Sequence, residues 1–186
     1  MKKSIIISGP PAVGKTTVAK GLAKEFGLTY LGGGDILKEL AGELGFQTKR
    51  EDWWDTAEGM KFLSQRKDNS EFDKKVDEKL KDLFLKGDIV ITSYTLPWLV
   101  EDGIKIWLAG SHENSAKRMK TRDNLTSDKA LEIVKQRYQE NKKLYKNLYN
   151  FDFGENLSIF DKIIDTDGLD AADVLDVAKT IVRERL

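Results

Sequence analysis

The 186-residue sequence contains no cysteine and one histidine, His112. The first absence excludes disulfides, cysteine-based zinc sites and thiol catalysis. The second excludes a histidine-cluster metal site and leaves little room for a Ser-His-Asp triad. A net charge of either sign is also missing, because 31 Lys+Arg balance 31 Asp+Glu. Duplex DNA and anionic membranes select a basic excess. The composition therefore predicts no nucleic-acid and no membrane partner, while leaving room for a local basic pocket around one small anion. Long apolar runs are absent: Ile5–Ile7 and Ile89–Ile91 are strand-sized. The basic start at Lys2-Lys3 reaches Gly9-Pro10-Pro11 too soon for a signal-peptide core. The expectation is a soluble, cytoplasmic protein whose oligomeric state the sequence leaves open.

What is present is a chain with 40% hydrophobic and 33% charged residues, enough for one folded domain. Strand-like and helix-like patterns alternate. Ser4–Ser8 reads as a strand buried on both faces. Val18, Leu22, Ala23 and Phe26 then share a helical face that ends at Gly27. Thr29–Leu31 is a short strand, Gly32-Gly33-Gly34 a turn, and Ile36, Leu37, Leu40, Ala41 and Leu44 the face of a second helix. A charged helical stretch from about 51 to 86 carries Phe72, Val76, Leu80 and Leu83 as its buried stripe. Asp88–Thr92, Ile104–Leu108 and Lys162–Asp165 read as three more strands. Residues 111–149 read as two helices broken at Asp123-Asn124, with Thr126, Ser127 and Asp128 as cap candidates. Asp170 caps a last helix with apolar residues at 3.6-residue spacing. Such alternation implies parallel strands joined by crossover helices.

One motif is specific. Gly9-Pro10-Pro11-Ala12-Val13-Gly14-Lys15-Thr16 matches G-x-x-x-x-G-K-[ST] in full, between a buried strand and a helix. Glycines let the backbone curl so that successive N–H groups point at phosphate oxygens, and the helix adds its positive end. Lys15 would reach the β- and γ-phosphates, Thr16 would ligate Mg²⁺, and Thr17 would follow as a phosphate donor. The loop predicts nucleotide binding but does not separate a kinase from a hydrolase or a switch.

Later residues carry a resemblance. Leu31-Gly32-Gly33-Gly34-Asp35-Ile36-Leu37-Lys38 follows the second strand, Asp73 and Asp77 stand four apart, and Arg118 and Arg122 stand four apart after the fourth strand. Asn156-Leu157-Ser158-Ile159-Phe160-Asp161 and Ile164-Asp165-Thr166-Asp167-Gly168-Leu169 close the chain. In this order and spacing the chain resembles the archaeal-type cytidylate kinases, a group of nucleoside monophosphate kinases, over most of its length. The resemblance implies a three-layer α/β P-loop fold with a central five-stranded parallel sheet in a single domain. It also implies an acceptor-binding helical insertion at about 34–86 and a short lid at about 111–150. ATP and Mg²⁺ would be the cofactors and CMP or dCMP the favoured acceptor. Lys15, Arg118 and Arg122 would stabilise the transferring phosphoryl group, with Arg137 as a further lid candidate. Gly33, Gly34, Lys38, Asp73, Asp77 and Tyr94 would face the acceptor.

Each of these residues also has a plain reading. An Arg pair one turn apart is often a solvated helix face, exposed carboxylates are common, and Asp35 suits a helix first turn. His112 reads as a surface residue. Two features depart from the family pattern, and both fall on the acceptor side. Where relatives carry an acidic residue and an Arg after the third strand, this chain has Thr92-Ser93-Tyr94-Thr95-Leu96-Pro97-Trp98. Asp52-Trp53-Trp54-Asp55-Thr56 lies in a longer segment, where a Trp ring either packs inward or stacks on an acceptor base. A different small acceptor, or a regulatory nucleotide-binding module, remain the alternatives.

Overall fold

The computed structural model describes residues 3–43, 45, 46, 48, 53, 59, 61, 62 and 71–185. Five strands, β1 (Ser4–Ser8), β2 (Thr29–Gly32), β3 (Ile89–Thr92), β4 (Ile104–Ala109) and β5 (Lys162–Asp165), form one sheet in the order β2-β3-β1-β4-β5. Every pairing is parallel. The central strand β1 explains the layering. Ile5, Ile6 and Ile7 have no exposed surface, and side chains alternate between faces along a strand. Ile5 and Ile7 join a core with α1 (Lys15–Phe26) and α7 (Ala171–Arg185), through Val18, Leu22, Ala178 and Val182. Ile6 joins a second core with α2 (Gly33–Glu43) and α3 (Glu71–Lys86), through Ile36, Leu37, Val76 and Leu80. Two cores on opposite faces of one sheet make three layers.

The chain leaves β1 toward β2, returns through β3, and passes β1 to reach β4. That reversal opens a crevice at the carboxyl end of β1, where α/β sheets bind ligands. Two long helices, α5 (His112–Asp123) and α6 (Ser127–Tyr149), rise beside it. They are capped by the Ser111 and Thr126 side chains, which accept from the amides of Asn114 and Lys129. Asp170 caps α7 by accepting from the amides of Ala172 and Asp173. No helix of the described residues is long and apolar enough to cross a membrane.

The five strands lie where the sequence places them, and the differences are local. Gly33 and Gly34 form the first turn of α2 rather than a free turn. Asp35 fastens that start by accepting from the Gly32 amide at 3.2 Å, a carboxylate reaching back across the first turn. In α3 the buried stripe is Val76, Leu80 and Phe84 with Asp73 and Asp77, while Phe72 and Leu83 are only half-buried. A short helix, α4 (Leu96–Leu99), was not anticipated; Pro97 suits its first turn. His112 is half-buried, edge-on to Tyr138 at 5.1 Å. The expectations for Leu44, Trp54 and most of 51–70 lie outside the described residues.

Trp53 settles one of the two readings. It is 1% exposed and packs with Phe46 and Phe62 at 6.4 and 5.5 Å in the core around Ile6. It does not line the cleft, so it is a core residue and not a platform for a base. Trp53→Ala should cost about 3–5 kcal/mol of stability, read from the denaturant midpoint. An unchanged midpoint with weakened acceptor binding would restore the stacking reading.

Candidate active site

Gly9 ends β1 at φ +144°, and a Cβ there would collide with the Leu108 carbonyl oxygen, so the loop leaves the sheet where only glycine fits. Gly14, at φ +102°, is the N-cap of α1 and brings no side chain to it. The first amides of α1 are therefore offered to the cleft together with the positive end of the helix. Lys15 Nζ donates to the carbonyl oxygens of Gly9 at 2.9 Å and Pro10 at 2.6 Å, and lies 4.5 Å from the ring centre of Tyr94. Burial pushes its pKa below the ordinary lysine value. Tyr94 opposes that shift and the positive charge of Arg137 adds to it. Thr16 and Thr17 are exposed at the helix start and line the cleft.

The cleft has a volume of about 1190 Å³ and brings both halves of the expected site together. Ala12–Thr17 form one wall. Gly33, Gly34 and Lys38 of α2, Asp73 and Asp77 of α3, and Thr92–Thr95 after β3 form the facing wall. Gly9, Pro10 and Pro11, the first residues of the loop, are not in the lining. Asp73 and Asp77 are 4% and 6% exposed, which is unusual for carboxylates and demands partners. Asp77 Oδ1 accepts from the Thr95 hydroxyl, and Oδ2 accepts from Tyr149 at 2.7 Å. Burial, then the bond to Asp77, pushes the Tyr149 phenol well above its ordinary pKa. Ser93 accepts from the amides of Thr95 and Leu96, so its hydroxyl starts α4. Tyr94 packs on Tyr145 and Phe153 and covers Lys15. Trp98 stacks on Phe151 away from the cleft.

The arginines line the cleft but have different neighbours. Arg118 donates to the hydroxyl and carbonyl of Thr166, at 3.3 and 3.0 Å, in the loop after β5. That loop is braced by Asp167, which accepts from the Ser111 amide and from Asn114; these bonds hold its carboxyl below the usual range. Arg122 makes a two-point contact with Asp123. Arg137, from the middle of α6, is the arginine whose charge acts on Lys15. No sequence pattern singles out Thr95 or Tyr149, whose shared partner Asp77 is set by tertiary packing.

Lys15→Ala removes an ammonium whose bonds run to main-chain carbonyls at the cleft edge. Stability should fall by no more than about 2 kcal/mol. Calorimetric titration with an ATP analogue should show weakened binding in the folded variant. Parent-like binding would remove Lys15 from the nucleotide site.

Comparison with known proteins bears on the family and the fold. The chain is 32% identical over 183 residues to a cytidylate kinase of Methanocaldococcus jannaschii, covering 96% of each chain. It is 34% identical over 168 residues to a cytidylate kinase of Sulfurisphaera tokodaii, covering 89% of this chain and 87% of the relative. An uncharacterized protein of Eubacterium ventriosum shares the fold with a TM-score of 0.64 at 19% identity, both chains being covered in full. A shikimate kinase of Acinetobacter baumannii, solved with shikimate, does so with a TM-score of 0.59 at 19% identity, over 100% of this chain and 93% of its own. The match to the family itself runs from residue 4 to residue 168, from the first strand through the P-loop to the loop after β5, and on that extent the chain belongs to the cytidylate kinase-like family.

Proposed function

We propose that the protein transfers the γ-phosphoryl group of ATP to a nucleoside monophosphate, with CMP or dCMP as the favoured acceptor, giving CDP and ADP from CMP. The observation that carries this reading is that the P-loop, Lys38, Asp73 and Asp77 line one and the same cleft, within a chain that matches cytidylate kinases almost end to end.

The loop amides and the start of α1 bind the donor phosphates. The Lys15 ammonium exchanges the Gly9 and Pro10 carbonyls for phosphate oxygens and stays against the Tyr94 ring. Because it is partly desolvated, its charge acts strongly on the transferring group. Arg137 and Arg122 add positive charge from the α5–α6 side, which we assign as the lid, with 34–86 as the acceptor-binding insertion. Thr16 fits a Mg²⁺ ion that arrives with the nucleotide. The described residues hold no cluster of three acidic or histidine side chains arranged for a metal, and Mg²⁺ at such sites needs only one or two protein ligands beside phosphates and water. Held there by Thr16 and the nucleotide, Mg²⁺ would supply positive charge to the donor phosphates. No general base is required, because the acceptor phosphate is already anionic. Closure of the lid side would exclude water and so suppress simple ATP hydrolysis.

The resemblance expects an arginine after β3 to hold the acceptor phosphate, and this chain has none at Thr92–Trp98; among the described residues of the α2–α3 wall that line the cleft, Lys38 is the main cation. Lys38→Met should raise the CMP KM at least about tenfold, in line with loss of a charge-assisted contact, and leave the ATP KM near the parent value. Steady-state ADP release across CMP, dCMP, UMP, AMP and small hydroxyl acceptors tests the reading. Highest kcat/KM with CMP or dCMP supports it. Turnover only with a hydroxyl compound would replace it by a kinase for a different acceptor, and no turnover at all by a regulatory module.

The arginines should separate kinetically. Arg122→Ala should lower kcat by about 10³ with ATP affinity little changed, the loss expected for a transition-state arginine. Arg118→Ala, because its guanidinium is held at Thr166, should raise the ATP KM more than it lowers kcat. A loss of less than about tenfold for both would return the pair to the solvated surface.

A further inference from the structure

Asp77 joins three separate parts of the chain. It lies on α3, its Thr95 partner on the turn after β3 is 18 residues away, and its Tyr149 partner at the end of α6 is 72 residues away. The rest of the hold on α3 is mainly apolar, through Val76, Leu80 and Phe84; further polar ties lie away from the cleft, at the exposed Lys79–Glu39 pair with α2 and at the Phe84 carbonyl, which accepts from the Ser4 hydroxyl. Apolar contact is non-directional, so it fixes the depth of a helix better than its rotation or its position along the axis. Hydrogen bonds to a buried carboxylate supply that direction.

Both donors are themselves held. Ser93 Oγ accepts two amides and lies 3.2 Å from Thr95 Oγ1. The Ser93 proton is thereby directed to Thr95, and the Thr95 proton to Asp77. Asn150 adopts a left-handed conformation at φ 57° that turns the chain after Tyr149. The Tyr149 ring then lies 7° from parallel to Phe151, and Phe151 stacks on Trp98 at 4.3 Å and 3°. Trp98 belongs to α4, whose N-cap is Thr95. The contacts close a ring from Asp77 through Tyr149, Phe151, Trp98 and Thr95 back to Asp77.

We propose that Tyr149 and Thr95 are positioning residues for the acceptor half of the cleft. By engaging both oxygens of Asp77 they fix the cleft-facing side of α3, and with it Asp73 one turn earlier. In this account Asp77 anchors the wall and Asp73 is the carboxylate presented to the acceptor. The inference rests on the acceptor reading above.

The test uses Tyr149→Phe, Thr95→Val and Thr95→Ser beside the parent, with KM for CMP and ATP, kcat and the thermal midpoint. Tyr149→Phe keeps the stacked ring and removes only the hydroxyl. Thr95→Val keeps the shape and removes the donor, while Thr95→Ser keeps the donor. Tyr149→Phe and Thr95→Val should each raise the CMP KM about fivefold or more, the size of one lost hydrogen bond, with the ATP KM within about twofold of the parent. Thr95→Ser should restore the parent CMP KM. A CMP KM within about twofold of the parent in both Tyr149→Phe and Thr95→Val overturns the inference. So does a parallel rise of both KM values with a lowered midpoint, which would mean a merely structural role. A parent without CMP-dependent ADP release overturns the acceptor reading and this inference with it, whereas an active parent with insensitive variants overturns this inference alone.

Discussion

The constraint on which the rest depends is the burial of β1 on both faces. A strand with Ile5, Ile6 and Ile7 fully enclosed cannot slide or tilt without exposing apolar surface to water. Its carboxyl end is therefore a fixed point, paired with β3 on one side and β4 on the other. The loop from Gly9 to Gly14 starts at that point and delivers Lys15 at the first residue of α1. The turn after β3 starts one strand away and delivers Tyr94 to the other side of the same ammonium. The hydrophobic effect fixes the frame, and the polar chemistry is placed at its rim.

Charge in the cleft is arranged as opposed walls. The P-loop wall is positive through amides, a helix end and Lys15. The α3 wall carries two buried carboxylates, one of them tied into the aromatic layer below. That layer, built around Trp98, Trp107, Phe151, Phe153 and Phe160, covers the face of β4 opposite the α1–α7 core. An unpaired buried carboxylate would be costly, and the hydroxyls of Thr95 and Tyr149 meet that cost at Asp77.

The strands, the P-loop and the last helix were legible because each is written in local terms: β-branched runs, a fixed glycine spacing, a 3.6-residue period. The start of α2 was misread because three glycines look like a turn, and Asp35 reaching back to Gly32 is a bond that composition does not reveal. On α3 the periodicity finds Val76 and Leu80, but it puts Phe72 where Asp73 is buried and Leu83 where Phe84 is, and it does not anticipate the buried Asp77, since buried carboxylates run against the usual ordering. Tyr149 and Thr95 carry no signature at all, since their partner is distant in sequence. The Arg pair was legible as a pair, but its spacing could not say that Arg118 faces Thr166 while Arg122 faces Asp123.

The central claim is direct transfer between two nucleotides in one cleft, and label tracing tests it most directly. The protein is incubated with γ-³²P-labelled ATP, Mg²⁺ and CMP, and the products are separated. The account predicts label in the β-phosphate of CDP, with little release as inorganic phosphate. Label released chiefly as inorganic phosphate, or CDP formed without label, would contradict it.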